Sequence, residues 1–218
     1  MKKTTIFLFI FAAILLLTLP VAADQQRGDK SKDKTDAYFA ISVPLTPWNA
    51  VEKYHLASPL SARGGLFLAS TGKWVGVEWE YTYLAGTTNP YEFIPYVPGD
   101  SALPFSTDMA FINTLLRYPD GIFHPYIGVG VGAAILYFED QHQQTGISSF
   151  RATSSPVQFF AGVDFDLSRH WSLGLRYRHI SIKPNFSEVR GFAEPARESM
   201  NDLRLNSQSV LLELKRFW

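Results

Sequence analysis

An all-β fold, an eight-stranded antiparallel up-and-down transmembrane β-barrel behind a cleaved signal peptide, is the class this sequence predicts. Three observations carry it. Apolar residues recur with period two over segments of about ten residues, the length that crosses a bilayer as a tilted strand. The connections between these segments alternate between tight turns and long polar stretches. The chain also opens with the pattern of an export signal.

That signal comprises Lys2 and Lys3, an apolar run over 6–19, a break at Pro20, and the small residues Val21-Ala22-Ala23. The apolar run is too short for a spanning helix and ends where a signal peptidase reads, so residues 1–23 are expected to be removed after export through the Sec pathway. Without Lys2 and Lys3 the chain carries 18 basic and 20 acidic side chains. That near-neutral balance argues against a nucleic-acid partner, which needs clustered Lys and Arg. The absence of cysteine excludes a lipoprotein anchor, a disulfide scaffold and thiolate metal sites. Residues 24–36 are polar and read as a disordered leader. The Arg27-Gly28-Asp29 within it reads as a chance triplet in a charged tail. Residues 37–218 form the barrel.

Each strand follows from alternation. Strand one (37–45) sets Phe39, Ile41, Val43 and Leu45 on one face. Strand two is expected near 64–70, with no clear facing. Strand three (74–84) sets Val75, Val77, Trp79, Tyr81 and Tyr83 against Gly76, Glu78, Glu80 and Thr82. Strand four (108–118) sets Ala110, Ile112, Thr114 and Leu116 against Asn113 and Arg117. Strand five (126–138) sets Ile127, Val129, Val131, Ala133, Ile135 and Tyr137 against Gly128, Gly130 and Gly132. Strand six (157–167) is the clearest, with Val157, Phe159, Ala161, Val163, Phe165 and Leu167 against Gln158, Phe160, Gly162, Asp164 and Asp166. Strand seven (171–181) sets Trp171, Leu173, Leu175 and Tyr177 against Gly174, Arg176 and Arg178. Strand eight (205–218) sets Val210, Leu212, Leu214 and Trp218 against Ser209, Glu213 and Lys215.

Tight turns fall at 70–73, 119–121 and 168–170, and long polar segments at about 46–63, 85–107, 139–155 and 182–204. Turns at one end and long loops at the other describe an outer-membrane barrel with the loops outside. Such a barrel turns its apolar face to lipid, which leaves Glu78, Glu80, Arg117, Asp164, Asp166, Arg176, Arg178, Glu213 and Lys215 in the lumen as one charge network. An eight-stranded lumen holds only interlocking side chains, so near-balance of sign is required. Gly128, Gly130 and Gly132 are expected to make room for long arginines opposite. Trp74, Tyr81, Tyr83, Tyr137, Trp171, Tyr177 and Trp218 are expected near strand ends as an aromatic girdle.

Four stretches carry a family likeness: Gly76-Val77-Glu78-Trp79-Glu80-Tyr81; Leu116-Arg117-Tyr118-Pro119 leading to Pro125-Tyr126-Ile127-Gly128-Val129-Gly130-Val131-Gly132; Trp171-Ser172-Leu173-Gly174-Leu175-Arg176-Tyr177-Arg178; and the C-terminal strand. Through them residues 37–218 resemble the OmpA-like outer-membrane β-barrel family, including small OmpX-type barrels. The resemblance implies an outer-membrane location and a monomer among outer-membrane lipids, lipopolysaccharide included. It also implies recognition of Leu212, Leu214 and a terminal aromatic by the barrel-assembly machinery. The family usually ends in Phe; here Trp218 stands there, and Arg216 occupies a position that is usually apolar.

Chemistry is sparse. Gly128-Val129-Gly130-Val131-Gly132-Ala133 has dinucleotide-like spacing, but the residues after it continue a strand rather than opening a helix. His179-Ile180-Ser181 resembles the His-x-Ser of PagL-type lipid A 3-O-deacylases. The resemblance implies a lipid-facing esterase in which Glu188 orients His179 and His179 activates Ser181. The Asn that follows the serine in that family is Ile182 here, and Glu188 follows early. His55, His124, His142 and His170 share no spacing, and neither a metal nor a cofactor is expected. The leading expectation is therefore a non-enzymatic structural or surface-interaction protein, its barrel anchoring four external loops for an unknown ligand. The alternatives are the deacylase and a small porin-like channel.

Overall fold

The computed structural model describes residues 35–45, 54–56, 60–88, 103–139, 149–185 and 205–218. The signal segment and nearly all of the leader lie outside the described residues, as do Glu188 and His142. Among these residues eleven strand segments run in order: β1 Asp36–Pro44, β2 Tyr54–Leu56, β3 Leu60–Phe67, β4 Val75–Thr88, β5 Leu103–Arg117, β6 Phe123–Glu139, β7 Ser149–Ser154, β8 Val157–Asp166, β9 Trp171–Ile182, β10 Pro184–Asn185 and β11 Leu205–Phe217. β7 and β8 continue one another across Ser155-Pro156, β10 continues β9, and β2 adds to the outer end of β4. The result is eight staves, antiparallel throughout, closed by pairing of β1 with β11.

The register fixes the tilt. The hydrogen-bonding line through Trp79 climbs through Ile112, Val131, Val157 and Ser181 to Asn206. In the other direction it passes Gly64 and Phe39 to Arg216. One circuit thus returns to β11 displaced from Asn206 to Arg216, a stagger of ten residues. Eight staves with that stagger tilt by about 40°, and their interior is filled by side chains.

Local chemistry sets the ends. The β3–β4 connection turns through Gly72 and Lys73, both at positive φ (63° and 69°). Thr71 pins it: its hydroxyl donates to the Leu68 carbonyl (2.8 Å) and accepts from the Val75 N–H (3.1 Å). The β5–β6 turn uses Gly121 at φ 84°, and the β8–β9 turn is tied by Ser168 to the N–H groups of His170 and Trp171. Pro156 lacks an N–H and interrupts its stave, while its carbonyl still accepts from Gly132 (2.9 Å).

The outward face is apolar and exposed: Ile112, Ile127, Val129 and Val131 are 60–66% exposed. In water such a face would be untenable, and in lipid it is the solvent-facing side. At the turn end Trp74 packs edge-on against Tyr118, Phe123 packs on Phe165, and Arg216 lies between the rings of Trp171 and Trp218. The cation on the apolar face is thereby accommodated.

Two expectations are corrected. The second strand runs over Leu60–Phe67, about four residues earlier than predicted. The outer ends of β4, β5 and β6 run on to Thr88, Leu103 and Glu139, into segments read as loop. Ladder hydrogen bonding between neighbours sustains them there, although their sequence loses its apolar alternation. Tyr81 lies mid-strand in the lengthened β4, and Tyr177 lies mid-strand in β9, rather than at strand ends. The Tyr81 hydroxyl donates to Asp108, and that of Tyr177 to Gln208 (3.3 Å).

Candidate functional site

The lumen is layered. At the turn end Tyr38, Phe67, Leu115, Tyr126, Phe160 and Phe217 form a buried cluster. Above it lies a dense ionic layer in which Arg63, Glu78, Glu80, Arg176, Arg178, Glu213, Lys215 and Asp164 are each no more than 1% exposed. Nearer the outer end Met109, Phe111, Leu136, Ile180 and Ile182 are buried.

Alternation brings these charges together because each stands on the inward face of its stave. Glu78 accepts from Tyr38 (2.6 Å), Asn113 (2.7 Å), Arg176 (3.1 Å) and Arg63 (3.3 Å). Glu80 accepts from Gln158 (2.9 Å), Asn113 (3.0 Å), Thr82 (3.0 Å) and Arg178. Glu213 pairs with Arg63 and Lys215 and accepts from Tyr126 (3.1 Å). Lys215 also bonds Asp164 at 2.7 Å. Glu78, Glu80 and Glu213 each have several donors, the condition under which a buried charge is tolerated. Among the described residues Asp164 rests on Lys215 alone, through one of its oxygens. The Arg176 guanidinium lies 3.5 Å above the Phe160 ring.

Two predicted members stand elsewhere. Arg117 has no ion pair among the described residues; its guanidinium sits over Phe67 and Phe217 at the turn end. Asp166 is 35% exposed at the rim, where it meets His124 (3.0 Å) and Ser172. Arg63, the cation between Glu78 and Glu213, is absent from the sequence reading. The available signal was the spacing of Ser61, Arg63, Gly65 and Phe67, which share one parity.

The three β6 glycines also have another reason than arginine. A Cβ at Gly130 would strike Asn113 Oδ1, at Gly128 the Phe160 ring, and at Gly132 the Ala110 carbonyl and the Phe111 ring. They lie inside a continuous strand, and no helix follows.

On the outer wall, His179 and Ser181 share the outward face of β9. His179 stands opposite Phe159 and Gln208, with the imidazole 5.9 Å from the Phe159 ring. Ser181 stands opposite Val157 and Asn206. Among the described residues no hydrogen bond joins His179 to Ser181, and Glu188 lies outside them. Leu212 and Leu214 face outward beside Val43 and Ile41, and the Trp218 N–H donates to the Ala37 carbonyl (3.1 Å). Among the described residues no group of His, Asp or Glu side chains is arranged to hold a metal ion.

A closed eight-stave barrel with an apolar exterior and a packed ionic interior is a small outer-membrane barrel. The chain belongs to the family described as outer membrane protein beta-barrel domain, which matches residues 9–202, and is an outer-membrane protein. None of the curated proteins matches it. Among solved structures it is similar to Neisserial surface protein A at 13% identity and TM-score 0.50, covering 84% of this chain and 94% of that one. It is also similar to the N-terminal β-barrel domain of Pseudomonas aeruginosa OprF at 10% identity and TM-score 0.49, covering 84% and 97%. The outer membrane enzyme PagL matches at 17% identity and TM-score 0.34, covering 83% and 97%.

Proposed function

We propose that this protein is a non-conducting envelope anchor that presents its outer segments at the cell surface as a structural or interaction platform. The observation that carries this is the ionic layer: Arg63, Glu78, Glu80, Arg176, Arg178 and Glu213 cross-link β3, β4, β9 and β11 through the middle of the lumen. Conduction requires an open hydrated path, and side chains at van der Waals contact leave none. In planar bilayers the refolded chain is expected to give no sustained single-channel conductance. A steady open level would favour the channel reading. Replacing the four outer connections by short turns is expected to preserve membrane insertion and to abolish any surface binding the intact chain confers. Binding that survives this exchange would sink the platform reading.

A second reading, hydrolysis of a lipid A acyl ester, is supported by the shared outward facing of His179 and Ser181 near the outer end of β9. It needs His179 to deprotonate the Ser181 hydroxyl, with a carboxylate behind the imidazole. The missing Ser–His hydrogen bond and Ile182 in place of an amide donor weigh against it. Mass spectrometry of lipid A from cells with the chain, its Ser181→Ala variant, or neither is expected to show identical acylation. A 3-O-linked acyl chain lost only in the presence of Ser181 would make the protein an esterase.

A further inference from the structure

We propose that staves β4, β5 and β6 hold one lipophilic organic cation, an ammonium or phosphonium centre on an apolar body, against Asp108 on the outer wall. The site follows from register. Asp108 stands on β5 directly across from Tyr83 of β4 and from Ile135 of β6. One row nearer the turn end, Ala110 stands across from Tyr81 and from Ala133. All six share the outward parity; the two alanines are exposed and the other four half-buried. The alanines therefore floor a shallow recess, with Tyr81 at one side and Asp108 and Ile135 on its outer rim. Toward the turn end the recess opens onto the exposed Ile112 and Val131.

The chemistry of the recess selects its occupant. Asp108 lies eight positions from Leu116 on the same stave, roughly 20 Å higher. That height is the upper edge of an apolar band about 25 Å tall. Among the described residues the Asp108 carboxylate accepts from the Tyr81 hydroxyl at Oδ1 and has no cationic partner. A carboxylate with hydrocarbon on one side is costly until it meets a counter-charge. Calcium or magnesium would need several oxygen ligands, and one carboxylate does not supply them. A phosphate-bearing lipid brings a second negative group, which Asp108 repels. An organic cation fits on three counts. Its charge meets Asp108, its surface meets the electron-rich rings of Tyr81 and Tyr83, and its apolar body covers the alanine floor in place of lipid. The same wall already shows such a pairing: Arg151 of β7 stands across from Tyr137 with its guanidinium 5.7 Å from that ring.

The test is isothermal titration of the full chain, refolded in dodecyl maltoside micelles, with tetraphenylphosphonium and with tetraphenylborate, an anion of the same shape. Wild type is expected to bind one phosphonium and no borate beyond what empty micelles absorb. Asp108→Asn is expected to weaken phosphonium binding roughly ten-fold and Tyr83→Leu about three-fold, while Asp108→Glu stays within about three-fold of wild type. Asp120→Asn removes an exposed carboxylate from the turn end and is expected to change nothing. Heat-modifiable gel mobility verifies that each variant has folded. Equal binding of the borate, or undiminished phosphonium binding by Asp108→Asn, would overturn the proposal. An arginine-rich peptide that binds through Asp108 while the phosphonium does not would also overturn it, and would assign this wall to a basic protein.

Discussion

Replacing Arg63 by Ala is expected to destabilise the barrel by about 3–5 kcal/mol, the range for removing one partner of a buried ion pair. Arg63 pairs with Glu78 and Glu213 and donates to Ser42 (2.8 Å). Its removal leaves two fully buried carboxylates short of a shared cation. Arg176 reaches both, but it already serves Glu80, and its distance to Glu213 is 3.9 Å. Arg63→Lys keeps the charge and loses the guanidinium fork that spans two acids, so a smaller loss of about 1–2 kcal/mol is expected. Urea unfolding of the refolded protein in micelles measures both. An unchanged midpoint for Arg63→Ala would mean that the ionic layer contributes nothing to stability and that the lumen is looser than its burial implies.

The facing of most staves was legible because lipid outside and ions inside impose opposite chemistry on alternate residues. β6, β8 and β9 carry that contrast in nearly every pair. β3 does not, and the reason is local. Ser61, Ala62, Arg63 and Gly64 are all buried in succession; Ser61 and Arg63 face the lumen, and the Trp79 indole from β4 lies across Gly64. A small residue roofed by a neighbour's aromatic ring blurs the alternation, and only the shared parity of Ser61, Arg63, Gly65 and Phe67 is left to point to Arg63. Arg117 and Asp166 had the correct facing, yet parity says nothing of height. Both lie at the turn end, where an aromatic pair and a histidine replace the expected counter-ions. The same limit holds on the outer wall: sequence put His179 and Ser181 on one face, while their alignment with Gln208 and Asn206 required the register between β9 and β11.

Gly128→Val is expected to lower stability by about 1–3 kcal/mol through overpacking, the usual cost of added bulk in a filled core. A Cβ at this position would run into the Phe160 ring from the neighbouring stave and would lie 2.8 Å from the Thr114 carbonyl on the other side. The carbonyl belongs to a paired strand and cannot retreat, so Phe160 must. Phe160 is fully buried and carries the Arg176 guanidinium on its face, so its displacement pushes on the cation that contacts Glu78 and Glu80. One added isopropyl group is therefore felt in the ionic layer as well as in the aromatic cluster. Val129→Leu, one residue along and facing lipid, supplies the comparison, with an expected change within about 0.5 kcal/mol. If Gly128→Val and Val129→Leu shift the unfolding midpoint equally, the lumen has room beside Phe160. The packed interior on which the non-conducting reading rests would then fail with it.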